Sequence, residues 1–205
     1  MKIIDISHIL SDETPNYPGD YELSLTKRTT LERDCYTSYL LSTCQHTGTH
    51  IDMPMHLLPD DRMASDFPAD RFIGKGVLLD VRGEELIAMK PRYERMVEKD
   101  SIVLLYTGFD QQYNSESYFT NHSTVSEELT NFLLSRKIKI LGMDMPGPDY
   151  PPFPVHKALL ANEIFILENL ANLQDLLAID SFEVMALPLK IKAEASFVRA
   201  VCKIL

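Results

Sequence analysis

His46, His50, Asp52 and His56 fall on even-numbered positions of one short run, His46-Thr47-Gly48-Thr49-His50-Ile51-Asp52-Met53-Pro54-Met55-His56, which holds three of the chain's six histidines. Imidazoles joined by a carboxylate, without thiolates, suit a catalytic Zn(II), Mn(II) or Fe(II) ion better than a structural zinc, which normally takes cysteines. An ion with an open coordination position lowers the pKa of its water toward 7 and provides hydroxide at neutral pH. That is the chemistry of a hydrolase. Hydrogen bonding on a half-buried strand accounts for one histidine, but not for three with an alternating aspartate.

His46 and His50 also stand at the i, i+4 spacing of a helical metal motif. Gly48 and Pro54 penalise a helix interior, however, and β-branched Thr47, Thr49 and Ile51 favour extended chain. In a strand, the period of two turns His50, Asp52 and His56 to one face and Ile51, Met53 and Met55 to the other. At about 3.3 Å per residue, His50 and Asp52 lie about 7 Å apart at Cα, close enough for one ion, whereas His46 and Asp52 lie about 20 Å apart on a straight chain. If His46 is also a ligand, the chain must bend near Gly48.

Several elements must position these residues. Lys2 to His8 alternates as a first strand and leads into the turn-rich loop Ser11 to Asp20. Tyr17, fixed there between Asn16 and Pro18, is placed either to wall a pocket or to pack the core. Glu22 to Thr30 and Cys35 to Cys44 read as two strands of a hairpin or meander, the second running into His46. Beyond His56, a polar connection carries a short helix between Ala64 and Arg71, either a wall of the site or passive surface.

Gly76 to Val81, Ser101 to Thr107 and Lys139 to Asp144 are buried strands. A helical stretch from Glu84 to Glu98, broken at Pro91, and a capped helix start at Thr124 to Glu128, feeding Leu129 to Ser135, lie between them. The proline-rich loop Pro146 to Pro154 delivers His156 to a helix over Val155 to Ala161. Glu163 to Leu167 is a strand ending at Glu168, a carboxylate placed either as a site residue or as a helix-starting acid. Phe182 to Leu189 and Ala195 to Leu205 close the chain as strands. The pattern is α/β after an antiparallel β-rich N-terminal third.

With 205 residues, 45% of them hydrophobic, the expectation is a single domain over residues 1–205. A net charge of −10 argues against nucleic acid or an anionic membrane as partner and for a small-molecule substrate. Neither a signal peptide nor a long apolar segment is evident, so the expected location is cytoplasmic. Three cysteines, Cys35, Cys44 and Cys202, form no CxxC pair, which argues against a disulfide framework or a zinc–thiolate site. Cys44 lacks the basic neighbour that would activate it as a nucleophile. No glycine-rich loop matches a nucleotide-binding fingerprint.

The His46 to His56 run resembles the signature of the cyclase-like metal-dependent hydrolase family, which includes bacterial kynurenine formamidases and isatin hydrolases. Tyr17-Pro18-Gly19-Asp20, Phe72-Ile73-Gly74-Lys75-Gly76, Thr107-Gly108-Phe109-Asp110, Gly142-Met143-Asp144, and His156 followed by Glu168-Asn169-Leu170 resemble the same family in the same order. The likeness implies a swivelling β/β/α fold, with a mixed central sheet or barrel-like β core flanked by helices. It implies that His46, His50 and Asp52 bind one divalent ion, Zn or Mn. Asp52 and Glu168 would bridge to a second ion that also takes His156. His56 would be the general acid/base and Tyr17 a substrate-binding wall.

The implied activity is hydrolysis of a small amide or formamide at a carbon–nitrogen bond other than a peptide bond, in a homodimer or homotetramer. A lyase or cyclase that stabilises an enolate on the same metal, and a metal-binding module without turnover, are the alternatives. Two departures stand out. The formamidases tend to have Trp where this chain has Tyr17, and the Gly and Pro that precede Val-Arg in the family are absent from Glu194-Ala195-Ser196-Phe197-Val198-Arg199-Ala200.

Overall fold

A computed structural model describes residues 1–205. Thirteen strands occur in chain order: β1 (Ile3–Asp5), β2 (Ser24–Thr29), β3 (Ser38–Ser42), β4 (His50–Asp52), β5 (Ile73–Asp80), β6 (Leu86–Ile87), β7 (Ile102–Tyr106), β8 (Thr124–Val125), β9 (Ile140–Met143), β10 (Phe165–Glu168), β11 (Phe182–Met185), β12 (Ala195–Phe197) and β13 (Val201–Ile204). The helices are short: α1 (Leu31–Asp34), α2 (Tyr93–Met96), α3 (Glu127–Arg136) and α4 (Pro154–Ala161). None is long and apolar enough to cross a membrane.

Nine strands form one mixed sheet in the order β1-β13-β11-β5-β7-β9-β10-β4-β12. Its centre, β5-β7-β9-β10, is parallel, and antiparallel strands flank it on both sides. The apolar runs read as buried strands supply this centre, because a parallel strand covered on both faces is apolar throughout. Along β7, Ile102, Leu104 and Tyr106 enter one core while Val103 and Leu105 enter the other. Leu129 and Leu133 of α3, Leu159 and Leu160 of α4, and Tyr93 of α2 cover the second face. The first face is closed by the flanks of the sheet itself, through Ile4, Ile51, Phe182, Val184 and Cys202, so the sheet curls into a half-barrel.

Several expected elements change form. The helix expected over Glu84 to Glu98 is replaced by strand β6 and the single turn of α2 after Pro91, and Ile87, Tyr93 and Val97 pin this segment to the sheet. Ala64 to Arg71 forms two 3-10 turns, Ala64–Asp66 and Ala69–Phe72, interrupted at Pro68. Ala195 to Leu205 is two strands, one pairing with β4 and the other with β1 and β11. Ser126 caps α3 as its spacing indicates, accepting the Leu129 N–H at 3.2 Å. β2 and β3 pair as the expected hairpin outside the main sheet.

Two buried polar groups lead from the sheet to the site. Asp144, just past β9, accepts the N–H groups of Thr107 and Gly108 at 2.8 and 2.7 Å and the Thr107 hydroxyl at 2.6 Å, fixing the turn after β7. Asn169, just past β10, receives the Tyr118 hydroxyl at 2.9 Å.

Close packing also restricts β5. A methyl group at Gly76 would overlap the ring of Phe182. We expect Gly76→Ala to lower the free energy of unfolding by about 1–3 kcal/mol, the usual cost of overpacking. Urea denaturation would register this as a lower midpoint with an unchanged slope.

Candidate metal centre

The site is assembled at one end of the sheet by strand pairing. β4 runs antiparallel between β10 and β12, in a register that sets His50 opposite Glu168 and Asp52 opposite Ile166. Ile51 and Met53 point into the core while His50 and Asp52 point away from it, as the period of two requires. Just before β4 the chain turns at Gly48, whose φ of +66° lies in the left-handed region that glycine enters without penalty. The turn brings His46 Nδ1 to 2.9 Å from Asp52 Oδ1.

The Gly48 carbonyl accepts from Asn169 Nδ2 at 2.9 Å and from His50 Nδ1 at 2.9 Å. With its Nδ1 hydrogen donated there, His50 turns Nε2 toward the carboxylates, 3.4 Å from Asp52 Oδ1 and 3.3 Å from Glu168 Oε2. His156 arrives on the first turn of α4 with Nε2 3.0 Å from Glu168 Oε1. The six residues singled out for metal and proton chemistry therefore converge. His46, His50 and Asp52 form one set of donors and Asp52, His156 and Glu168 a second, each with its donor atoms within 4.8 Å of one another.

His56 reaches the site by a different route from the one its even number indicates. Pro54 opens a 3-10 turn, Pro54–His56, so the alternation stops at Met53. The turn folds His56 back over His46, their ring centroids 4.1 Å apart.

These residues fit a divalent metal centre. His46 Nε2, His50 Nε2 and Asp52 Oδ1 are buried without a hydrogen-bond partner, and such atoms are costly unless something binds them. The donor set, three imidazoles and two carboxylates with no thiolate, is that of a catalytic site. Among the protein groups alone, burial opposes charge on His46 and His156. Asp52, with Glu194, nevertheless raises His46 to about 11, and Asp149 with Glu168 raises His156 to about 10. Burial likewise works against the charge on Asp52 and Glu168, yet the surrounding histidines hold both below the ordinary carboxylate range. His56 goes the other way: burial lowers its pKa, leaving a neutral imidazole near pH 7.

A cavity of about 260 Å³ opens over these groups, with Tyr17, Phe119, Tyr150 and Phe153 among its walls. Tyr17 is a wall residue, standing edge-on to Phe119 at 5.6 Å. His122 stacks on Tyr150 at 4.2 Å. Sequence reasoning missed Phe119, His122, Asp149 and Phe153. Of these only Asp149 carried a local signal, an acid just ahead of a helix start. Glu194, noted only for the loop it occupies, lies 3.5 Å from His46 Nε2. That loop runs on directly as edge strand β12 without the family's Gly and Pro. Cys44 sits 3.2 Å from the Thr47 hydroxyl and does not line the cavity.

The family model described as "Putative cyclase" matches residues 4–150. A kynurenine formamidase of Bacillus cytotoxicus is 30% identical across 98% of this chain and 96% of its own length. Another, from Bacillus thuringiensis subsp. konkukian, is 31% identical across the same shares. Among solved structures, isatin hydrolase A from Labrenzia aggregata, bound to benzyl benzoate, has a TM-score of 0.86 over 98% of this chain and 93% of that one. At 22% identity this is a likeness of fold.

His46 and His156 hold protons at neutral pH, and a cation must displace them. Binding of a divalent cation at pH 7.5 should therefore release protons. Calorimetric titrations in buffers of different ionisation enthalpy would count them, and apparent affinity should fall as pH is lowered.

Proposed function

This chain belongs to the Putative cyclase family, and from that premise we propose that it is a divalent-metal-dependent hydrolase of a small aryl amide or formamide, cutting a carbon–nitrogen bond other than a peptide bond. The observation that carries the reading is the convergence of two donor triads on a shared carboxylate, Asp52, with a neutral histidine beside them under an aromatic-walled cavity. His46, His50 and Asp52 would hold one ion, and Asp52, His156 and Glu168 would hold the other, as zinc or manganese. When bound, such ions polarise a carbonyl and make water acidic enough to ionise near neutral pH.

The protein's own groups do the rest. Tyr17, Phe119, Tyr150 and Phe153 offer a flat ring stacking and edge contacts in the cavity that Asp52 and Glu168 also line. His56, neutral because it is buried, takes a proton from the attacking water and passes it to the departing amine, which leaves uncharged. Near pH 7 the Asp52 and Glu168 carboxylates are ionised and fixed by strand pairing. No reorganisation is then needed as charge develops.

Chelator-stripped protein reconstituted with zinc or manganese should hydrolyse N-formylanilines, releasing formate and the aniline, and the stripped protein should not. A reconstituted sample that turns over no member of an aryl amide, ester and lactam panel would sink the reading. Replacing His56 with alanine should lower kcat by about 10²–10⁴-fold, the usual contribution of a general acid/base, with metal content unchanged. Stoichiometric metal loss in that variant would instead make His56 a ligand.

A further inference from the structure

The two donor triads are not built alike. His50 takes its orientation from a backbone carbonyl, whereas His156 takes it from Asp149, a carboxylate outside both donor sets. Asp149 is 7% exposed and lies in the loop between β9 and α4. Its Oδ1 is hydrogen bonded to His156 Nδ1, and its Oδ2 accepts the Val155 N–H at 2.6 Å. Val155 is the second residue of α4, and Pro154 before it has no N–H to offer, so this bond satisfies the first free amide of the helix.

The geometry points to Asp149 as the positioning residue of the second ion's site, one carboxylate that holds His156 in its ligating tautomer and ties that site to the start of α4. The Nδ1 hydrogen of His156 is donated to Asp149, so Nε2, 3.0 Å from Glu168 Oε1, is the nitrogen left to a cation once its proton is displaced. A carboxylate behind a ligating imidazole fixes the ring and raises its basicity. The neighbouring backbone is shaped to the same end. A Cβ at Gly147 would come within 3.0 Å of His156 Cε1 and 3.2 Å of Glu168 Oε1, so the loop closes on the pair only because that position has no side chain. The same loop carries Pro146, Tyr150 and Phe153 of the cavity wall. Occupancy of the second site and order of that wall are thereby one property, set by Asp149.

This inference rests on the two-ion reading above, and its test separates the two. Zinc alone is titrated against a chromophoric chelator for the wild type and for Asp149→Ser, whose hydroxyl still accepts the Val155 N–H but does not reach His156. Wild type should bind two zinc ions. The variant should keep the first with unchanged affinity and bind the second about 10- to 100-fold more weakly, the usual cost of losing such a partner. Zinc should also slow amide exchange across residues 147–156 in wild type and fail to do so in the variant, whereas loss of a helix cap alone would leave this difference in place.

Two ions bound with wild-type affinity by Asp149→Ser would overturn the role of Asp149. A single ion in wild type would overturn the two-ion reading, and this inference with it. Nitrogen-15 spectra of zinc-loaded wild type test the tautomer without a variant, because the His156 proton must reside on Nδ1. A proton on Nε2 would refute the assignment.

Discussion

Two carboxylates, Asp52 and Glu168, are buried side by side on adjacent strands, and much of the local structure answers their combined charge. An isolated buried carboxylate is strongly disfavoured, and two facing each other more so. The imidazoles around them draw both back toward ionisation, and His46 and His156 gain proton affinity in return. An arrangement of this kind is a poor device for holding a fold together, because replacing buried ions with apolar side chains is often neutral or stabilising. It is a good device for capturing cations, which bring the missing charge without a desolvated partner.

Orientation is as important as charge. Gly48 contributes through its φ and its carbonyl, which receives both Asn169 and His50. Asn169, itself held by the Tyr118 hydroxyl, also accepts the Thr49 hydroxyl through its backbone carbonyl at 2.6 Å. The turn that brings His46 to Asp52 is thus fastened from the loop after β10, the strand that supplies Glu168. Such supporting contacts are what hold donors within the narrow tolerance a metal demands.

Much of this was legible in the sequence because it depended on local rules. The alternation at His50, Ile51 and Asp52, the bend at Gly48, and the buried runs at Gly76 to Val81 and Ser101 to Thr107 follow from side-chain period, glycine conformation and apolar length. His56 broke the alternation because Pro54 donates no backbone hydrogen bond and ended the ladder two residues earlier. The segment from Glu84 to Glu98 has helical composition, but Ile87, Tyr93 and Val97 gain more by packing on the sheet than a solvated helix would offer. Asp149 and Glu194 were hidden for another reason. Their roles depend on which imidazole they meet, and tertiary structure alone decides that. Likewise His156 takes its role from the family likeness, and at Glu168 the likeness decides between the two readings, site residue or helix-starting acid, that its place at a strand end allows.

β4 lies early in the chain but pairs only with β10 and β12, which lie late in it. On a ribosome, a nascent chain that has displayed His46, His50, Asp52 and His56 still lacks both strands that hold them. Contacts across such sequence distances form slowly, since loop closure must precede them. The histidine-rich run therefore has no strand partner until residues far along the chain have been made. Only with residues near Phe197 is the pairing on both sides of β4 complete. For this topology, the donors of β4 gain a fixed geometry only once two strands from far along the chain have closed on either side of it.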